Sequence, residues 1–321
     1  MEPNFKPLLW LLPVSLCPLL YYIASSSTPK RPGLVPHSQE RVLILGASSG
    51  IGRATAHLYA SRNAYVCIVG RREEQLEAVR LECVDLLPSR DESRILKLTE
   101  DFSDPEGLLR IRDLLIKEWN GLDTLVVNAG VSALHPLLSV AGVQKDGSGI
   151  PMADIHGLNR VRDIAAAAVQ GNFTGPLLSV VAFISFLAKT SKSPSVLLVS
   201  SAAALIPAPT RTLYGASKAA SLLLFQALSI EHPEVHFASI IPATVEGNFR
   251  ASAVDGGPVR ESLSSALKKD QVARECVHAI DIGRRTLWLP WWYRVAHLAY
   301  WIYPPLVEAI ARKKYNFNVQ V

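Results

Sequence analysis

The stretch RVLILGASSGIG, Arg41 to Gly52, sets the reading of the whole chain. Its first five residues form a short apolar run of the kind that makes a buried strand, and helical patterning starts at Ile51. Between them lies a glycine-rich turn. Gly46, Gly50 and Gly52 permit a tight bend and let backbone N–H groups approach a pyrophosphate at the positive end of the helix. Such glycines alone say little; at a strand-to-helix junction they argue for a dinucleotide.

Working outward, short apolar runs alternate with longer helical stretches. RVLIL (Arg41–Leu45), YVCIVG (Tyr65–Gly70), RILKL (Arg94–Leu98), DTLVV (Asp123–Val127), SVLLVS (Ser195–Ser200) and VHFASII (Val235–Ile241) read as buried parallel strands. Ile51–Ser61, Arg72–Cys83, Pro105–Trp119, Val161–Leu187 and Tyr214–Ile230 read as helices between them. The expected fold is α/β: a single Rossmann-type, doubly wound parallel sheet with helices on both faces. This domain is expected over residues 40–285, after a hydrophobic segment (1–24) and a polar linker (25–39), and before an aromatic-rich extension (286–321).

Composition narrows the function. With 321 residues, 49% of them hydrophobic, the chain can bury a large core. The net charge of +5 is modest and its cations are scattered, which argues against nucleic acid. The four cysteines form no C-x-x-C pair and the eight histidines show no ligand spacing, so neither a disulfide framework nor a metal is expected.

Both ends suggest lipid. Leu8 to Ala24 is uncharged and mainly apolar, about 26 Å long as a helix against a hydrocarbon core of about 30 Å. A retained anchor is the favoured reading; an interfacial segment and a cleaved signal stay open. Thr286 to Tyr315 carries Trp288, Trp291, Trp292 and Trp301 and ends near Arg312, Lys313 and Lys314, a pattern suited to a lipid–water boundary or to covering a substrate pocket.

LYGASKAA, Leu213 to Ala220, sets a phenol and an ammonium four residues apart, so on a helix Tyr214 and Lys218 share a face. That suits proton chemistry. The second strand ends in Gly70, Arg71 and Arg72 with no carboxylate, which favours a 2′-phosphate and hence NADP(H), with Arg71 the first candidate and Arg72 the second.

From about Arg41 to Ile282 these residues resemble the short-chain dehydrogenase/reductase family, and in particular its hydroxysteroid dehydrogenase-like, membrane-associated branch. Gly46–Gly52 matches T-G-x-x-x-G-I-G with Leu45 in place of threonine, and Val127-Asn128-Ala129-Gly130 matches N-N-A-G with its first Asn lost. Asp101 and Phe102 match the adenine-contacting position, Asn172 the catalytic Asn, and Ser201 lies thirteen residues before Tyr214, the family's interval. The resemblance implies a tetrad. Tyr214 would exchange a proton with the substrate oxygen, Lys218 would hold the nicotinamide ribose, Ser201, with Ser200 the alternative, would orient the substrate, and Asn172 would hold a relay water. It also implies cofactor contacts at Gly46, Ser48, Ser49, Gly50, Ile51, Gly52, Arg71, Arg72, Asp101, Phe102, Asn128, Ala129, Gly130, Tyr214, Lys218, Pro242 and Val245. Pro242-Ala243 departs from the family's P-G, and Gly247 stands about where a threonine would contact the carboxamide.

The expected protein is a membrane-associated NADP(H)-dependent oxidoreductase that interconverts a secondary alcohol and a ketone on a lipophilic steroid, terpenoid or acyl-chain substrate. A 3-ketosphinganine-type reductase and a non-catalytic NADP-binding scaffold are the alternatives. Relatives are often oligomeric, which implies a possible homodimer. Gly142–Gly157 and Thr244–Pro258 are candidate lids. The only N-glycosylation sequon begins at Asn172, where a glycan would destroy the site, so the catalytic domain is expected to face the cytosol, with the protein in the endoplasmic reticulum.

Overall fold

Strand residues that point alternately to two faces can be apolar at every position only if both faces are covered. In the computed structural model, which describes residues 31–143, 152–259 and 265–317, this holds for the inner strands. Among the described residues, β1 (Arg41–Leu45), β2 (Tyr65–Gly70), β3 (Ile95–Thr99), β4 (Thr124–Val127), β5 (Ser195–Val199), β6 (His236–Pro242) and β7 (Thr286–Leu289) form one sheet. Every pair is parallel, in the order β3-β2-β1-β4-β5-β6-β7. The expected segment 1–24 and the middle of the inserted loop lie outside the described residues.

On one face Val42, Ile44, Ile68, Val126 and Ile240 meet α1 (Gly50–Ser61), α2 (Glu73–Leu86) and, further along the chain, the helix Lys269–Asp281. On the other face Leu43, Leu45, Val69, Val127 and Leu198 meet α3 (Pro105–Trp119), α5 (Gly175–Thr190) and α6 (Thr212–Glu231). The domain is therefore a doubly wound sheet. Asp104 caps α3 through Gly107 N at 2.9 Å, with Pro105 at the first helical position where its missing N–H costs nothing.

Two features differ from expectation. The helix read as Val161–Leu187 is α4 (Ile155–Val169) and α5, joined by a π-helical turn over Gln170–Thr174. Thr286–Leu289, assigned above to the C-terminal extension, completes the sheet as β7 against β6. After α7 (Lys269–Asp281) and β7 come α8 (Tyr293–Ile302) and α9 (Pro304–Lys314). Ile155–Thr190 and Thr212–Glu231 are long and apolar enough to cross a membrane. Both instead lay an apolar side on the sheet, where Phe183 and Phe225 are buried.

The end of the expected linker is tied down. Arg31 Nη1 donates to Glu40 Oε1 at 2.7 Å, Nη2 to Thr124 Oγ1 at 2.6 Å and Nε to Ser195 Oγ at 3.0 Å, bridging the start of β1 to β4 and β5. Glu40 is fully buried, and its other carboxylate oxygen has no partner among the described residues. Arg31→Ala should therefore cost about 3–5 kcal/mol, because it strands a buried charge. Denaturant unfolding of the full chain reads this, and the double variant Arg31→Met/Glu40→Met should recover most of the loss. An unchanged midpoint for Arg31→Ala would show that the linker is not anchored here.

Candidate active site

The strand order turns back between β1 and β4, which leads to β3 on one side and to β7 on the other. A crevice opens at such a switch point, at the carboxyl ends of the strands. The glycine turn after β1 and the Asn128-Ala129-Gly130 turn after β4 meet there. Gly46 takes φ +90°, and a Cβ on it would lie 2.6 Å from Ala129 N and Cα. Asn128 Nδ2 donates to Gly46 O at 2.8 Å and so fastens one turn to the other. At Gly50, φ is +59° and a Cβ would meet nothing within 4 Å, so the first turn of α1 is open above its backbone. Ile51 packs against the core below, and Gly52 sits so close to Gly46 O that no side chain could replace its hydrogen.

Of the two arginines after β2, Arg72 reaches this turn. Its Nη2 donates to Ser48 Oγ at 2.7 Å and Ser49 Oγ at 2.8 Å, whereas Arg71 Nη1 lies 3.8 Å from Asp101 Oδ2 and is largely exposed. Both arginines thus border the glycine turn, Arg72 on its serines and Arg71 toward Asp101. Asp101 also accepts from Ser103 N at 2.9 Å, and the ring of Phe102 fills the space left by Gly175. Pro242 ends β6, and Val245 bridges to Leu267 beyond it.

The catalytic candidates converge from three elements. The π turn carries Asn172, fully buried, whose Oδ1 accepts from Val131 N at 2.9 Å while Nδ2 donates to Val131 O at 2.9 Å and Ser217 Oγ at 3.0 Å. Lys218 Nζ donates to Val199 O at 3.0 Å, at the end of β5. A Cβ on Gly130 would lie 2.7 Å from Asn172 Oδ1 and 3.2 Å from Lys218 Nζ, so that glycine is what lets all three meet. Ser201 accepts from Ala203 N at 3.2 Å on the turn that packs on the start of α6, where a Cβ on Gly215 would be 2.6 Å from Ala203 O. Ser200 is buried and its hydroxyl has no partner among the described residues, whereas Ser201 is half-buried and the more accessible of the two.

Tyr214, itself buried, has neighbours that the sequence reading did not include. Arg211 lies over its ring and Phe249 meets it edge-on with centroids 6.0 Å apart. Arg211 stands three residues before Tyr214, a helical spacing that was the one available signal. Of the candidate lids, 244–258 is held down by Asp255, whose Oδ2 accepts from Leu134 N and His135 N at 2.7 Å each. The ends of the other close together through Gly157, which lies against Ala141 O; residues 144–151 are outside the description.

A parallel sheet with a glycine turn at its switch point, and a buried lysine one turn beyond a tyrosine, is the plan of a dinucleotide-dependent oxidoreductase. The profile of the short chain dehydrogenases matches residues 40–256, and the chain belongs to that family. It is 27% identical over 279 residues to 11-beta-hydroxysteroid dehydrogenase 1A of Arabidopsis thaliana, covering 83% of this chain and 73% of the relative. It is 30% identical over 285 residues to 11-beta-hydroxysteroid dehydrogenase A of Sesamum indicum, covering 85% and 75%. In fold it is similar to an alcohol dehydrogenase from the archaeon Thermococcus sibiricus solved with 5-hydroxy-NADP, with a TM-score of 0.61, 21% identity, and coverage of 78% of this chain and 94% of that one.

Burial pulls the Lys218 ammonium down from 10.5 to about 8. The folded value lies below the unfolded one, so without cofactor the penalty is complete below pH 8 and is relieved as pH rises to 10.5. Across that window the unfolding free energy of the wild type, taken relative to Lys218→Met, should rise by up to about 3 kcal/mol. A flat difference would mean that water reaches the ammonium.

Proposed function

We propose that the protein is an NADP(H)-dependent reductase or dehydrogenase that interconverts a secondary alcohol and a ketone on a lipophilic, steroid-like molecule. The observation that carries the reading is the meeting of Asn172, Lys218 and Gly130 beside the switch-point crevice, with Tyr214 one helical turn before the lysine. The cradle suits a dinucleotide: open backbone at Gly50, hydroxyls at Ser48 and Ser49, and the Arg72 guanidinium on both. Bound there, the cofactor would supply or accept hydride.

The chain's own residues would do the rest. Tyr214 gives its phenolic proton to a carbonyl oxygen or takes one from an alcohol, Ser201 donates a hydrogen bond to that oxygen, and Lys218 holds the ribose and keeps positive charge near the phenol. Asn172 holds the Val131 segment in place and would anchor the relay water. Arg72, in first place, and Arg71, beside it, would pair with the 2′-phosphate.

Lipophilic substrate and membrane association are supported by the names of the relatives and by the outer surface of α8 and α9, where Trp301, Ile302, Leu306 and Ile310 are exposed. Such a face suits a lipid boundary, with the 8–24 segment as anchor. Asn172 is fully buried with its amide engaged, leaving no room for a glycan in the folded chain; this supports a cytosolic catalytic domain on the endoplasmic reticulum.

The decisive experiment gives wild type and Tyr214→Phe deuteride-labelled NADPH and a membrane-lipid extract, and looks for deuterated products by mass spectrometry. The wild type should label a sterol-like or terpenoid alcohol, and Tyr214→Phe should lower kcat/KM by about 10²–10⁴-fold. A labelled long-chain amino alcohol would instead select the ketosphinganine-type reaction, and equal labelling by both proteins would remove Tyr214 as the proton donor. For the cofactor, Arg72→Ala should raise KM for NADPH roughly ten- to a hundredfold and leave NADH nearly unchanged. Equal effects on both would mean that Arg72 only shapes the turn.

A further inference from the structure

Arg211, at the entry to α6, has no part in the roles assigned above, yet it is one of the most constrained cations in the molecule. It is 5% exposed, and its Cζ lies 4.3 Å from the centroid of the Tyr214 ring. Nη1 donates to Ser132 Oγ at 2.9 Å and reaches Ala133 O at 3.5 Å. Ser132 is itself fully buried, and its carbonyl accepts from Val254 N at 2.9 Å. The next residues along, Leu134 and His135, are gripped by Asp255. The guanidinium is therefore held by one segment from outside its own helix, residues 132–133, which residues 254–255 in turn fix in place.

No hydrogen bond or ion pair joins Arg211 to a carboxylate among the described residues. A cation removed from water without a counter-ion is costly, and an apolar side chain of similar size would fill the same space more stably. Its near neighbours are neutral oxygens and the π face of one tyrosine, which attracts a cation and favours a rigid stack. The 4.3 Å runs to the ring centre, and the charge of a tyrosinate spreads from its oxygen into that ring, so a guanidinium over the face also favours the anion.

We infer that Arg211 is the positioning residue of Tyr214: tethered by Ser132, its guanidinium fixes the phenol ring and stabilises the negative charge that forms on the phenol oxygen during proton transfer. This rests on the reading of Tyr214 as proton donor. In the reducing direction the phenol O–H bond breaks, the proton bonds to the substrate oxygen, and the electron pair stays on the tyrosine as tyrosinate. Both Arg211 and Lys218 would stabilise that anion. The other charged or titratable groups on neighbouring segments make bonds of their own or stand apart: Asp255 accepts backbone amides, Arg250 donates to Val245 O at 3.0 Å, His297 Nδ1 lies 2.9 Å from Leu205 O, and His135 Nδ1 is buried with no hydrogen-bond partner among the described residues.

The test needs no cofactor and no turnover. The ultraviolet absorbance of tyrosinate is followed through an alkaline titration of the full-length protein, and the contribution of Tyr214 is isolated by subtracting the matching Tyr214→Phe protein. Arg211→Gln should lower the ionisation constant of Tyr214 roughly three- to thirtyfold. Arg211→Lys, which keeps the charge, should restore most of it, and Ser132→Ala, which frees the guanidinium, should fall between. An identical Tyr214 signal in wild type and Arg211→Gln overturns the inference, as do equal displacements for Lys and Gln. If the Gln variant does not fold, Ser132→Ala decides, and an unchanged signal there overturns it. A wild-type chain that transfers no hydride from any substrate would refute the alcohol–ketone reading and leave this comparison readable.

Discussion

The close approach of two backbone turns, after β1 and after β4, governs the geometry of everything above the sheet. Gly46 and Ala129 lie nearer than any side chain at position 46 would allow, and Asn128 and Ala129 both donate backbone N–H bonds to Leu45 O, at 3.1 and 2.9 Å. The contact is made of backbone alone, so it cannot adapt by changing a rotamer. Gly130 follows directly, and Val131 then holds both ends of the Asn172 amide. A shift of the β4 turn by a few tenths of an ångström would pass through Val131 to Asn172 and through Gly130 to the Lys218 ammonium. The same contact thus shapes the candidate dinucleotide cradle on one side and the candidate proton-transfer groups on the other.

Those candidate groups are polar atoms placed where a core would ordinarily be apolar. Each is tolerated because it is bonded: Lys218 to a strand-end carbonyl, Asn172 to Val131 and Ser217, and Ser217 Oγ back to Tyr214 O at 2.9 Å. The π turn makes this possible. One widened turn between α4 and α5 brings the Asn172 side chain to Val131, while Gly171 and Gly175 let Val131 and Phe102 lie against the helix. Burial still weakens the ammonium's hold on its proton. An anionic partner such as tyrosinate would strengthen that hold, so the two members of the pair favour each other's charged forms.

Much of this was legible in the sequence for a simple reason. Strands buried on both faces write themselves as unbroken apolar runs, and a glycine required by a backbone contact is visible as a letter. The five inner strands, the glycine turn and Tyr214 with Lys218 belong to that class. What stayed hidden depends on contacts between distant segments. The π turn leaves no periodic trace. β7 is only four residues long and adjoins Pro290 and a pair of tryptophans, so its aromatic content suggested a lipid-facing extension. Where the chain enters α2, Arg72 is turned toward Ser48 and Ser49, an orientation that spacing alone does not specify. Arg31 and Arg211 both look like ordinary surface cations until the fold buries them.

Arg31 and the C-terminal helices also give the domain a direction. Arg31 binds at the amino ends of β1, β4 and β5, on the side of the sheet opposite the crevice. The chain after β7 leaves from the crevice side. There α8 returns to the turn that carries Ser201: His297 Nδ1 lies 2.9 Å from Leu205 O, four residues beyond Ser201, and its ring lies 5.7 Å from Trp288 of β7. The aromatic segment is thus built into the sheet through β7 and braced against the Ser201 turn, while its outer side carries exposed tryptophan and isoleucine. Displacing α8 would disturb the Ser201 turn that it braces, so the candidate site depends on the aromatic segment as well as on the sheet.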